Sequence, residues 1–138
     1  MTHSIGPEGT PRVRRAAIPS DAVLVVRGED VDDPDASIAQ ATLFRRRFRK
    51  WERYGISAFY ARDEGEVADL GSDQLQRFET LLVFSQAELL AAGFELVATF
   101  RSPHVTIAFS ESPEIAMTRM LAVPHQRFLN AAYREDDR

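Results

Sequence analysis

The side chains best able to do chemistry gather in one interrupted apolar stretch, Thr99 to Phe109, where a β-prone run breaks at Ser102-Pro103 and resumes at His104. His104 is the histidine that lies inside a core-like segment, whereas His3 falls in the N-terminal arm and His125 in the C-terminal tail. An imidazole titrates near neutral pH and can move protons, which makes His104 the first catalytic candidate. Thr106 follows two residues later, and side chains two apart on a strand share a face. Arg101 stands just before the break and offers a planar fork to phosphate or carboxylate. The same residues have a plainer structural reading, in which His104 is a hydrogen-bonded histidine that begins a strand.

Other candidates stand at other strand ends. Arg27 follows the apolar run Ala22 to Val26, Ser57 enters a second run behind Gly55-Ile56, and Tyr60 lies near the end of that run. If their strands are neighbours, Arg27, Arg101 and His104 are expected to converge on one anionic ligand. The competing expectation is that strand-end arginines are solvated, or paired with Glu95, Glu111 or the acidic stretch that begins at Glu29. Arg27, Ser57 and His104 are therefore the catalytic candidates, and Arg101, Thr106 and Tyr60 the substrate-binding ones. A separate basic cluster, Arg45, Arg46, Arg47, Arg49, Lys50 and Arg53, falls within nine positions. Arg46 and Arg49 are its candidate phosphate contacts.

Two resemblances attach to these residues. His104-Val105-Thr106-Ile107 is similar to the H-x-T-hydrophobic half-motif of the 2H phosphoesterases, which implies that His104 handles protons and Thr106 holds phosphate. The order Arg27, Ser57, then Glu64 and Glu66 resembles small bacterial ADP-ribosyltransferase-like toxins. That resemblance implies NAD as cofactor, with Arg27 on a phosphate, Ser57 shaping the nicotinamide pocket and a glutamate polarising the ribose hydroxyl.

The elements that must position these groups follow from patterning. Ala22 to Val26 is apolar on both faces and reads as a strand in the middle of a sheet. Asp33-Pro34 is a helix start, with Asp33 as cap and Pro34 in the first turn. Ala41, Phe44, Phe48 and Trp51 recur at spacings of three, four and three, so an amphipathic helix over 36–53 should pack an aromatic stripe on the sheet and present arginines outward. Gly55 is expected to end that helix in the left-handed conformation. Strands are expected at 56–61 and 80–84, with a short helix from Glu64 between them. Ser85-Gln86-Ala87-Glu88 is a capping box, and Gly93 closes the short helix that it opens. The runs 94–100 and 104–109 should form a hairpin across three residues, and Ser112-Pro113-Glu114 starts a last helix. The pattern predicts a single α/β or α+β domain over 19–130, with an approximately five-stranded mixed sheet and about four helices, a flexible basic arm over 1–18 and a frayed tail over 131–138.

Composition removes several classes. The 138 residues include no cysteine, so disulfides, thiol catalysis and cysteine metal sites are excluded. The glycines are scattered, with no phosphate loop or dinucleotide fingerprint, and neither H-E-x-x-H nor a serine hydrolase elbow occurs. No leader and no membrane span are evident, so a cytoplasmic protein is expected. A net charge of -4 gives no whole-molecule attraction to nucleic acid, but the arginine clusters can act locally. Two functions follow as expectations. One is a small bacterial toxin-like enzyme acting on NAD or nucleic acid, with a cognate antitoxin or another protein as partner. The other is a noncatalytic module that binds protein or RNA through the basic helix 36–53.

Overall fold

The computed structural model describes residues 9–28 and 34–134. The first eight positions of the arm, the acidic stretch from Glu29 with the Asp33 cap, and the last four residues of the tail lie outside the described residues.

Eleven elements follow one another, ten of them regular strands and α-helices. They are β1 (Leu24–Gly28), α1 (Pro34–Arg47), a 3-10 turn (Arg49–Trp51), β2 (Tyr54–Ala61), α2 (Glu64–Asp73), β3 (Thr80–Ser85), α3 (Gln86–Ala91), β4 (Glu95–Ala98), β5 (His104–Phe109), α4 (Pro113–Ala122) and β6 (His125–Leu129). The domain is mixed α and β around one sheet, as the patterning predicts. The strand order is β4-β5-β2-β1-β3-β6. Two features differ from expectation. Every neighbouring pair is antiparallel, so the sheet is not mixed in direction, and the chain beyond Pro124 supplies a sixth strand beside β3. β6 escapes a reading by apolar runs because it is an edge strand: His125, Gln126 and Arg127 dominate it, and Leu129 points outward at 77% exposure.

Local signals act where they were expected. The Ser85 hydroxyl accepts from the Glu88 N–H at the start of α3, and the Ser112 hydroxyl accepts from the Ile115 N–H where Pro113 opens α4. Gly93 closes α3 with φ +96°, a conformation that costs a side-chain-bearing residue about 1 kcal/mol or more. Gly55 does something else. The left-handed residue after the 3-10 turn is Glu52, and Gly55 sits within β2 because a Cβ there would come within 2.6 Å of Thr106 and 2.8 Å of the Phe44 ring. Close approach between helix and strand requires glycine at this position, not the turn.

Two apolar clusters hold the sheet. One joins Val25, Ile56, Ala58, Phe84, Val105 and Ile107 with Ala41 of α1 and Ala116, Met117 and Met120 of α4. The other joins Val26, Ala61, Leu81 and Val83 with Val67 and Leu70 of α2. Val25 and Val26 belong to different clusters because alternate strand residues face opposite sides. Each fully buried Leu, Ile, Val or Phe contributes roughly 1.5–3 kcal/mol, so these clusters supply most of the driving force for folding. α1 ends at Arg47, short of the expected 53, and the aromatic stripe continues through the 3-10 turn, with Phe44 4.7 Å from Phe48 and 5.7 Å from Trp51 between ring centres. Among the described residues, no helix is long and apolar enough to cross a membrane.

Candidate functional site: an arginine groove beside the Ser-Pro turn

The β4–β5 hairpin places the Ser102-Pro103 turn at one end of the sheet, and the arm docks there. Val13 bridges Thr99, the Arg14 N–H donates to the Ala98 carbonyl at 2.9 Å, and the Phe100 N–H donates to the Arg12 carbonyl at 2.9 Å. The described part of the arm therefore extends the edge of the sheet. These bonds hold Phe100 at φ +58°, an uncommon conformation for a bulky residue. Its ring lies 5.0 Å from that of His104 and 6.1 Å from that of Phe48. α1 is thus joined to the arm and the turn through aromatic contact, and Gly9 of the arm passes over the Lys50 side chain.

Between arm and turn lies an open groove of about 770 Å³ lined by Arg12, Val13, Arg14, Arg15, Phe100, Arg101 and Ser102. Among the described residues, no carboxylate lines it. Arg14 is anchored by its Nη1, which donates to the Thr99 carbonyl at 2.5 Å and the His104 carbonyl at 2.7 Å. Burial lowers the Arg14 pKa, partly opposed by the nearby Tyr60 hydroxyl, so this cation has lost some of its water and has no acidic partner among the described residues. Arg46, Arg49 and Lys50 lie exposed at the end of α1. Their neighbours are spent on aromatic rings: Arg45 stacks over Tyr54 at 5.2 Å, Arg47 over Phe48 at 5.1 Å and Arg53 over Trp51 at 5.1 Å. Arg53 also pairs with Glu95 at 2.6 Å.

Behind the groove, His104 and Thr106 share a face, as their spacing requires, and Thr99 completes a chain with them. The Thr99 hydroxyl lies 3.0 Å from His104 Nδ1 and 2.7 Å from the Thr106 hydroxyl. Thr99 and Thr106 are wholly buried, and the Phe59 ring meets His104 edge-on at 5.3 Å. Burial, opposed by a hydrogen bond to the Thr99 backbone and reinforced by the Arg14 charge, pushes the His104 pKa down from 6.5 to about 4. The imidazole is neutral at physiological pH and its Nδ1 is engaged. This is the geometry of a satisfied polar group in a core.

The structure brings some sequence candidates together and separates others. Arg101 lines the groove, and the Tyr60 hydroxyl sits 2.9 Å from that of Ser102 at the far side of the turn. Tyr60 and Ser102 also border a second concavity of about 280 Å³, which Arg62 and the acidic Glu66, Asp69 and Asp73 also line. Arg27 is not part of this region. Val26 pairs with Phe59 and Phe59 with His104, so Arg27, one step along, projects from the opposite face. Its Nη2 donates to the Ser37 hydroxyl at 2.8 Å, and the residue is only 6% exposed. Ser57 pairs with Thr106, which places it on the other face from Arg27, exposed, with its N–H donating to Gln40. Arg27, Ser57 and His104 do not meet around one ligand.

Arg12, Arg14 and Arg15 were legible only as a basic arm, and nothing in their spacing tells which one is anchored. Thr99 was hidden because a threonine inside an apolar run reads as strand. Among the described residues, no group of His, Asp and Glu is placed to hold a metal ion. No family model, no curated protein and no solved structure matches the chain.

Proposed function

We propose that this protein is a noncatalytic nucleic-acid-binding module that holds the phosphates of an RNA strand along the arm groove and the exposed end of α1. The observation that carries this reading is the convergence of Arg12, Arg14, Arg15 and Arg101 on a groove that no carboxylate lines among the described residues. Such a concentration of guanidinium charge repels itself, and an anion relieves that repulsion. Arg46, Arg49 and Lys50 extend the positive surface beyond the groove, which suits a polymer of regularly spaced charge better than a single small anion. The net charge of -4 confines attraction to this side and leaves the rest of the molecule repulsive to the same ligand. Protein recognition by the same cations is the competing outcome, and salt and competition experiments separate the two.

Fluorescence anisotropy with a labelled, unstructured oligoribonucleotide of about 20 residues tests the reading. Each phosphate contact to a single strand contributes roughly -0.7 to the slope of log affinity against log salt, so a slope between about -3 and -5 is expected. Arg46→Glu with Arg49→Glu should weaken binding by about tenfold, since two attractive contacts become repulsive. Binding that ignores salt, or that an acidic peptide displaces while RNA does not, removes the nucleic-acid reading.

A further inference from the structure

We propose that the Nε–Nη2 edge of Arg14 is a preformed, two-pronged seat for a terminal phosphomonoester of the strand that the groove binds. This inference rests on the nucleic-acid reading above and names the group that the site selects.

A guanidinium carries five N–H donors, two of them on Nη1. Both Nη1 hydrogens of Arg14 are directed to carbonyls, those of Thr99 and His104. These two bonds fix the plane and roll of the guanidinium against the end of the β4–β5 hairpin. The three remaining donors lie on Nη2 and Nε, and among the described residues they meet no acceptor. Nε–H and one Nη2–H point the same way, which is the side-on fork that takes two oxygens of one phosphate. An ordinary surface arginine must give up side-chain freedom to present that fork. Arg14 has already lost this freedom on folding, so ligand binding loses less.

The surroundings select the charge state. Arg12 and Arg15 flank Arg14 on the arm, and Arg101 and Ser102 approach from the turn. A phosphodiester inside a strand has one negative charge and two non-bridging oxygens, both of which the Arg14 fork alone can occupy. A terminal monoester has close to two charges and three such oxygens, so it can accept the fork and still bond to Arg101, Arg12 or Ser102. The desolvation that lowers the Arg14 pKa points the same way, because a cation stripped of water gains more from a dianion than from a monoanion. Interior phosphates then fall to the exposed cations of α1.

The test compares three oligoribonucleotides of one sequence, carrying a 5′-phosphate, a 3′-phosphate, or hydroxyls at both ends, binding to the full chain. One phosphorylated end should bind about tenfold more tightly than the hydroxyl form, and which end it is fixes the polarity of the strand. Arg14→Lys keeps the charge and loses the fork. It should abolish this preference, so that the phosphorylated and hydroxyl oligonucleotides bind equally. Because Arg14→Lys could loosen the arm, Arg101→Gln is the second variant: it touches none of the arm's bonds and should cut the preference to about a third. Equal affinity of the wild-type protein for all three oligonucleotides overturns the terminal seat and leaves general RNA binding in place. Failure to bind any of them removes both.

Discussion

Arg27 and Arg14 are both arginines oriented by the fold, but they are oriented in opposite directions. Arg27 leaves β1 toward the interior, bonds to Ser37 of α1 and is nearly inaccessible. Arg14 leaves a docked arm, turns one edge inward to two backbone carbonyls and keeps the other edge beside an open groove. A buried arginine bonded to a neighbouring helix is placed to hold the fold together, whatever its place on a strand. A half-buried arginine held through one edge only is suited to binding, since its orientation is paid for by folding and its other donors face an open groove. Position at a strand end distinguishes neither.

The sharpest way to break this contrast is to remove each side chain. Arg27→Ala should cost about 3 kcal/mol of stability, because it strands Ser37 and leaves a void, with binding by the folded protein unchanged. Chemical denaturation beside RNA titration reads both, and a loss of affinity without a loss of stability would reverse the assignment. Arg14→Ala should do the opposite, costing about 1 kcal/mol of stability and roughly tenfold in affinity.

The second prediction concerns the histidine between the two regions. His104 has a pKa of about 4 in the fold against 6.5 for an exposed imidazole. Above pH 6.5 the ring is neutral in both states and contributes no pH dependence. As the pH falls below that value the unfolded chain takes up a proton that the folded chain refuses until about pH 4. Stability should therefore drop across this window by up to about 3 kcal/mol. His104→Asn, which keeps a polar atom near Thr99, should flatten the profile. An unchanged profile would show that His104 is solvated and available for chemistry.

Asn130 offers a smaller effect far from the groove. Its amide donates to the carbonyls of Gly71, Leu75 and Phe78, at 3.1, 3.0 and 3.0 Å, and its oxygen accepts from the Ala132 N–H. Asn130→Ala should cost about 2 kcal/mol by leaving buried carbonyls unpaired, and thermal melting checks this. Affinity for RNA should not change, which separates loss of a purely structural polar group from loss of Arg14. Smallest of all, Arg46→Glu with Arg49→Glu should shift stability by no more than about 0.5 kcal/mol despite its effect on binding, because both side chains are exposed.

Most regular elements were legible because their causes are local. Ser85 and Ser112 cap α3 and α4 as their spacing indicates, and the unbroken apolar runs become the central strands β1 and β3. β6 was not legible, since an edge strand needs no apolar face of its own and is recruited by the unpaired backbone of β3. Gly55 was read as a helix terminator because that is what glycine does most often locally. Its actual cause, the approach of Phe44 and Thr106, comes from residues distant in the chain.

The site divides along the same line. The residue types were visible: a cluster of arginines, a basic arm, a histidine and threonine sharing one strand face. Pairing register decided their use, because a step of one residue separates Arg27 from the His104 face, and register emerges only when the strands have met. By itself the chain determined where its strands and helices begin and which of its segments carry positive charge, since capping, periodicity and composition act within a few residues. Only the tertiary structure decided that the arm docks against the Ser-Pro turn and that Arg14 is anchored there while Arg27 is buried. Those outcomes depend on backbone groups that no side-chain pattern encodes.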